Sequence, residues 1–486
     1  MATQGSPGLF TDSDNTPPSA YSDVPNGSSL ARVSLFSPQQ TSSDLPDDSN
    51  TTAEGRQLHF LVKASTHQPD STYRLNARTL SLLLSRPSNL SWAPADIIDM
   101  TGFFMDRFQR MASLSFFKPT YLQLTRIRNV ITWRLRYLPS TRWAVFMCTK
   151  LFDSILSGVP LTAAENELIR QAMSRIEELL YSTPTKYLTP AELQHQLSGS
   201  LELALFRLRA EGTDTYELLK SYAPTFLQLV FSDATLWPAN HESMAVPLAY
   251  VLESNSYEVC HFAMLDMMCA MAYGLPQMME YDTTTPPLEN GIHPAELVHG
   301  CPPAMQFILA DINKLCSWNL IGPIANWRTI EQRLLDWQPN LRPPTDEEDS
   351  WKGVARLAVQ ESWRHTLLVY LYMAVCGASS DNPQVANSVR QIFRIMSTVK
   401  YEQQPIADAH FFMQYLIGGA FTPNEKHRAL ARSKLSDGFA NKFWLLGVDR
   451  FVPVLDHLWH GAAGNGQAIQ WSDYLHSRQT MMPISA

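Results

Sequence analysis

The chain has 486 residues, 45% of them hydrophobic and 17% charged, a balance that supplies a large core and excludes disorder throughout. Lys and Arg number 38 against 46 Asp and Glu, for a net charge of −8; no chain-wide positive field draws phosphate backbones, and any nucleic-acid contact must be local. The six cysteines, at 148, 260, 269, 301, 316 and 376, include no short C-x2-4-C knuckle, so the usual zinc clip is excluded and reduced, mostly buried thiols are expected.

Residues 1–57 are rich in Ser, Thr, Pro, Asp, Asn and Gly, with Phe10, Tyr21, Leu35, Phe36 and Leu45 scattered among Asp12, Asp14, Asp23, Asp44, Asp47 and Asp48. Too few apolar side chains are present to offset the entropy of ordering, so a disordered acidic tail is expected. The composition fits an acidic-hydrophobic activation segment and equally an inert linker. The Met1 start lacks a basic stretch leading into an apolar run, so an intracellular compartment is expected. The longest apolar stretch, Leu367 to Ala378, falls short of the roughly 20 residues that span a bilayer, and no membrane contact is expected.

Helical periodicity takes over in 58–486. Leu124, Ile127, Ile131 and Leu135 recur at three- and four-residue spacing and form one helix face. Thr162 and Glu165 have capping-box spacing and start a helix expected to reach about Tyr181. Thr189 and Glu192 repeat the device, with Pro190 at the first helical position where its missing N–H costs nothing. From Trp351 to Cys376 the chain is helix-compatible, and TLLVYLYMAV is apolar on every side, as in a central helix. Gly377 is the expected left-handed stop and Asp381 the expected next cap, before a stripe of Val385, Val389, Ile392, Phe393 and Met396. No window alternates as strands do. The expected fold is all-α: a multi-helix array or bundle of antiparallel helices, with an internal boundary near 338–350 in a Pro-rich loop.

Four residue groups carry candidate chemistry. Glu361, Arg364 and His365 lie at i, i+3 and i+4, so carboxylate, guanidinium and imidazole can meet as a structural ion pair. Cys260, Met264, Met267, Met268 and Met271 are gap-filling core residues or a candidate effector pocket. Asp456, His457 and His460 are a metal alternative that lacks the Glu of an HExxH signature and a third protein ligand in pattern. Arg126, Arg128, Arg134, Arg136 and Arg142, interleaved with Trp133 and Trp143, form a basic stretch for phosphate contact or snorkelling. No Walker loop, nucleophile elbow or kinase set is present, and the acidic run Asp346 to Asp349 lies in a loop instead of an aspartate-rich helix. No catalytic residue is assigned.

ESWRH with its following apolar helix, CGAS-x-D-x-P, HFFMQYLIGGAF-x-x-NEKHR, VLDHLWHGAA and WSDYLHSRQ resemble the fungal-specific transcription factor domain of zinc-cluster regulators, especially basidiomycete-like members. The likeness runs from about Asn89 to the C-terminus. It implies an all-helical regulatory region in the nucleus, controlling RNA polymerase II transcription through other regulators or coactivators, or through a small effector. In the complete family a separate binuclear zinc cluster reads DNA. No cysteine precedes Cys148 here, so DNA contact is expected only indirectly or through such a module upstream, and zinc only with that module. No cofactor is expected in this chain. The alternative is a small-molecule-binding helical protein or an unrecognised all-α enzyme.

Overall fold

The computed structural model describes residues 74–484 except for single residues and short internal segments, the longest being 85–91, 182–187, 287–293, 319–326, 340–349, 400–409 and 437–445. The 1–57 tail and most of the 338–350 loop therefore lie outside the described residues. The described residues are all-α, apart from a parallel pair of two-residue strands, β1 (Val246–Pro247) and β2 (Tyr281–Asp282). No such pairing was expected from the sequence, because two residues are too few to show alternation.

Two apolar cores organise the helices. The smaller gathers α1 (Ala77–Leu84), α2 (Pro94–Ser113), α3 (Tyr121–Tyr137), α4 (Pro139–Ser157) and α5 (Ala163–Tyr181), with Phe103 and Phe146 stacked at its centre, 6.2 Å apart. Helix α6 (Pro190–Ala210) is the shared wall. Its Leu203 and Phe206 belong to this core, whereas Leu193, Leu197, Leu201 and Ala204 point into the larger one. At 100° per residue these two sets fall on different sides of the helix, so one element is apolar on two faces.

The larger core is built by α7 (Thr215–Ser232), α8 (Leu248–Glu253), α9 (Tyr257–Tyr273), α11 (Pro303–Trp318), α12 (Trp327–Asp336), α13 (Ser350–Tyr370), α14 (Pro383–Thr398), α15 (Phe412–Phe421), α16 (Glu425–Ser436), α17 (Phe451–His460) and α18 (Trp471–Met481), with the short α10 (Pro294–His299) packed beside α9. Ile330 of α12 and Ala355 of α13, on either side of the 338–350 loop, lie in this same core.

Local chemistry explains the boundaries. The Thr162 and Thr189 hydroxyls accept from the Glu165 and Glu192 amides (3.2 and 3.3 Å), and both carboxylates accept the Thr amides in return (2.9 and 2.7 Å). These are two reciprocal caps. Thr120 and Gln123 form a third, at α3, which the sequence analysis missed. Helix α13 ends in a wide turn over Leu371–Val375, where the Cys376 amide reaches back to the Leu371 carbonyl (3.1 Å), a π-type bond. Gly377 follows with φ of +64°, the left-handed stop. The next cap is Asn382, not Asp381: Asn382 accepts from the Gln384 amide at 2.9 Å, while Asp381 takes the Ser379 hydroxyl. With Pro383 fixed at the first helical position, the residue just before it is the one that faces the free amides.

Candidate functional site

Helix α13 brings Glu361, Arg364 and His365 together. Arg364 donates to Glu361, and His365 Nε2 lies 3.5 Å from the same carboxylate oxygen. Burial alone would raise the Glu361 carboxyl, but hydrogen bonds from His365 and Arg364 outweigh it and hold the group below its ordinary value. A carboxylate held ionised by two donors is a weak proton donor; its chemistry is that of an ion pair. Trp363, between these residues in sequence, faces the core and is 1% exposed.

On α9, Cys260, Met264, Met267, Met268 and Met271 are all buried in the larger core. Burial there extends around the whole helix, so the methionines meet packed side chains instead of lining one face. The same helix carries Asp266, fully buried. Its carboxylate accepts from the Met278 and Met279 amides (2.7 and 3.1 Å) and from the Tyr281 hydroxyl (3.0 Å). Burial pushes this carboxyl up to about 7 against the pull of the three donors. One side chain thereby ties α9 to the segment that ends in β2.

On α17, Asp456, His457 and His460 address different partners. Asp456 forms a two-pronged pair with Arg432 of α16 (2.9 and 2.7 Å). His457 Nδ1 lies 3.0 Å from the Ser477 hydroxyl on α18, and His460 Nδ1 lies 2.7 Å from the Asp456 carbonyl. Among the described residues no group of three or more His, Cys, Asp or Glu side chains could hold a metal ion.

Two buried polar clusters escaped the sequence reading. Arg134 of α3 donates to Ser198 and Glu202 of α6, and its Nε is 3.5 Å from Glu258 of α9. Burial opposes the guanidinium charge, but Glu202 and Glu258 outweigh it and hold Arg134 firmly protonated. This cluster sits where the two cores meet. The second is imidazole-rich: His299 Nε2 is 3.3 Å from His261 Nδ1, their rings stack at 5.3 Å, and His410 meets Ser115 at 3.0 Å. Burial lowers His261 and His410 to about 4 and His299 well below its ordinary value. These residues come from distant parts of the chain, so no spacing could pair them. Asp266 did leave a signal: an acid amid an apolar run must find donors when buried.

Residues 257–484 match the family model described as the fungal specific transcription factor domain. The matched residues are those of helices α9 to α18. The stretch from Asn89 to Ser256, included in the resemblance drawn from sequence, lies outside the matched residues. No curated protein and no solved structure matches.

Proposed function

We propose that the chain is a nuclear regulatory and interaction module that controls RNA polymerase II transcription through other regulators or coactivators, and that it reaches DNA indirectly. The observation that carries this reading is the family match over ten consecutive helices, α9 to α18. Two features support it. The polar side chains singled out in the matched stretch are engaged in ion pairs and in bonds between helices, and no helix among the described residues is long and apolar enough to cross a membrane.

Fusion of the full chain to a DNA-binding module from another protein, with a reporter gene downstream, tests the proposal. Reporter output should differ from that of the bare module, and residues 1–73 fused alone should not reproduce the difference. A full-chain fusion indistinguishable from the bare module would overturn the reading.

A further inference from the structure

Helix α3 lies outside the matched family stretch, and its two sides have opposite character. Inward, Ile131, Arg134 and Leu135 are buried. Outward, Tyr121 is 86% exposed, Leu122 60%, Trp133 40% and Tyr137 58%. Leu122, Arg126, Val130, Trp133 and Tyr137 follow one another at three- and four-residue steps, so they share a single stripe. Trp133 and Tyr137 touch, with ring centroids 5.6 Å apart. Arg126 and Arg136 are exposed on and beside the stripe, Arg128 is exposed on the far side of the helix, and the helix contains no acidic residue. Among the described residues none of these three arginines pairs with a carboxylate. The other two arginines of the basic stretch are turned to structural work, Arg134 on Glu202 and Arg142 against the Trp92 ring.

We infer that this face of α3 is a docking surface for an acidic peptide segment of another protein, one that presents apolar side chains between its carboxylates. Charge selects the occupant: the Arg126 and Arg136 guanidinium groups give this face a local positive charge on a chain of net charge −8. The apolar members decide between a peptide and a nucleic acid. A phosphate backbone offers nothing for Leu122, Trp133 and Tyr137 to bury, and two arginines supply few phosphate contacts. An acidic peptide with Phe or Leu anchors would satisfy both sets, and Trp, Tyr and Arg are the residues that dominate peptide and protein interfaces.

The test uses the full chain and a short labelled peptide alternating Asp and Glu with Phe and Leu, followed by fluorescence anisotropy. Binding should weaken as salt rises. Arg126→Glu with Arg136→Glu, and separately Trp133→Ala with Tyr137→Ala, should each weaken it by about tenfold or more, with the unfolding temperature kept. A peptide with Asn and Gln in place of the acids should lose most of its affinity. The inference falls if the wild-type chain does not bind, if both double variants bind like wild type, or if the amide peptide binds equally well. It is replaced by a nucleic-acid surface if duplex DNA binds more tightly than the peptide and the arginine variant abolishes that binding.

Discussion

At the scale of single residues, Asp266 fixes the segment that follows α9. It accepts two amides and a hydroxyl from the segment that follows the helix. Asp266→Ala strands those three buried donors and should cost about 3 kcal/mol or more, measured as a shift in the urea midpoint. Asp266→Asn keeps one accepting oxygen and should cost less. Its titration has a definite sign. A folded-state value near 7, above the roughly 3.9 of an unfolded Asp, means that the native state holds a proton the unfolded chain releases. The stabilisation is then complete at acid pH and is lost as pH rises from about 4 to about 7. His261, His299 and His410 act oppositely, since their lowered values stabilise the fold above about 6.5 and lose that contribution as pH falls. These imidazoles oppose the Asp266 carboxyl, so on acidification from neutral pH Asp266→Asn, which lacks the offsetting gain, should lose stability relative to wild type. A wild-type-minus-variant difference that does not change with pH would show that Asp266 does not titrate in this window.

At the scale of elements, the crossing of α15 and α16 depends on Gly419. A Cβ at this position would lie 2.8 Å from the Ala431 Cβ, and the Gly419 carbonyl accepts from the Trp459 indole at 3.0 Å. Alanine would raise helix propensity by up to about 1 kcal/mol, while forcing the helices apart costs about 1–3 kcal/mol. Gly419→Ala should therefore be a net loss of up to about 2 kcal/mol, and Gly419→Leu a larger one. Ala431→Gly added to Gly419→Ala removes the clash, so the pair should cost less than the sum of the singles. Strict additivity in the double-mutant cycle would mean that the crossing is not set by this contact. The caps at Thr162 and Thr189 were legible because each joins residues three apart, within reach of the sequence alone. Gly419 was not, because its partner lies on another helix.

Across the whole molecule, the smaller and larger cores meet at α6 and at the Arg134 cluster. Arg134→Ala leaves Glu202 and Glu258 buried without their counter-charge and should cost about 3–5 kcal/mol in chemical denaturation. Adding Glu202→Gln removes one stranded charge and should recover part of that loss. Recovery marks the cluster as a charge-compensated joint between α3, α6 and α9; no recovery would assign the loss to missing packing around Arg134 instead.

The all-helical class, the central helix from Trp351, the stripe on α14, the two reciprocal caps and the Gly377 stop were all determined by the sequence. Each depends on periodicity, on a local hydrogen bond or on backbone sterics, which act between residues a few positions apart. The Glu361, Arg364 and His365 grouping was legible for the same reason, since one turn of α13 brings the three together. Only the tertiary structure decided what a run of apolar residues or a lone charge meets across the core. It paired Arg134 with acids 68 and 124 positions away, sent Asp456 to Arg432 and His457 to Ser477, and left one aromatic, arginine-bearing face of α3 uncovered. A contact between distant segments is fixed by the packing of many side chains at once, and no short stretch of sequence contains it.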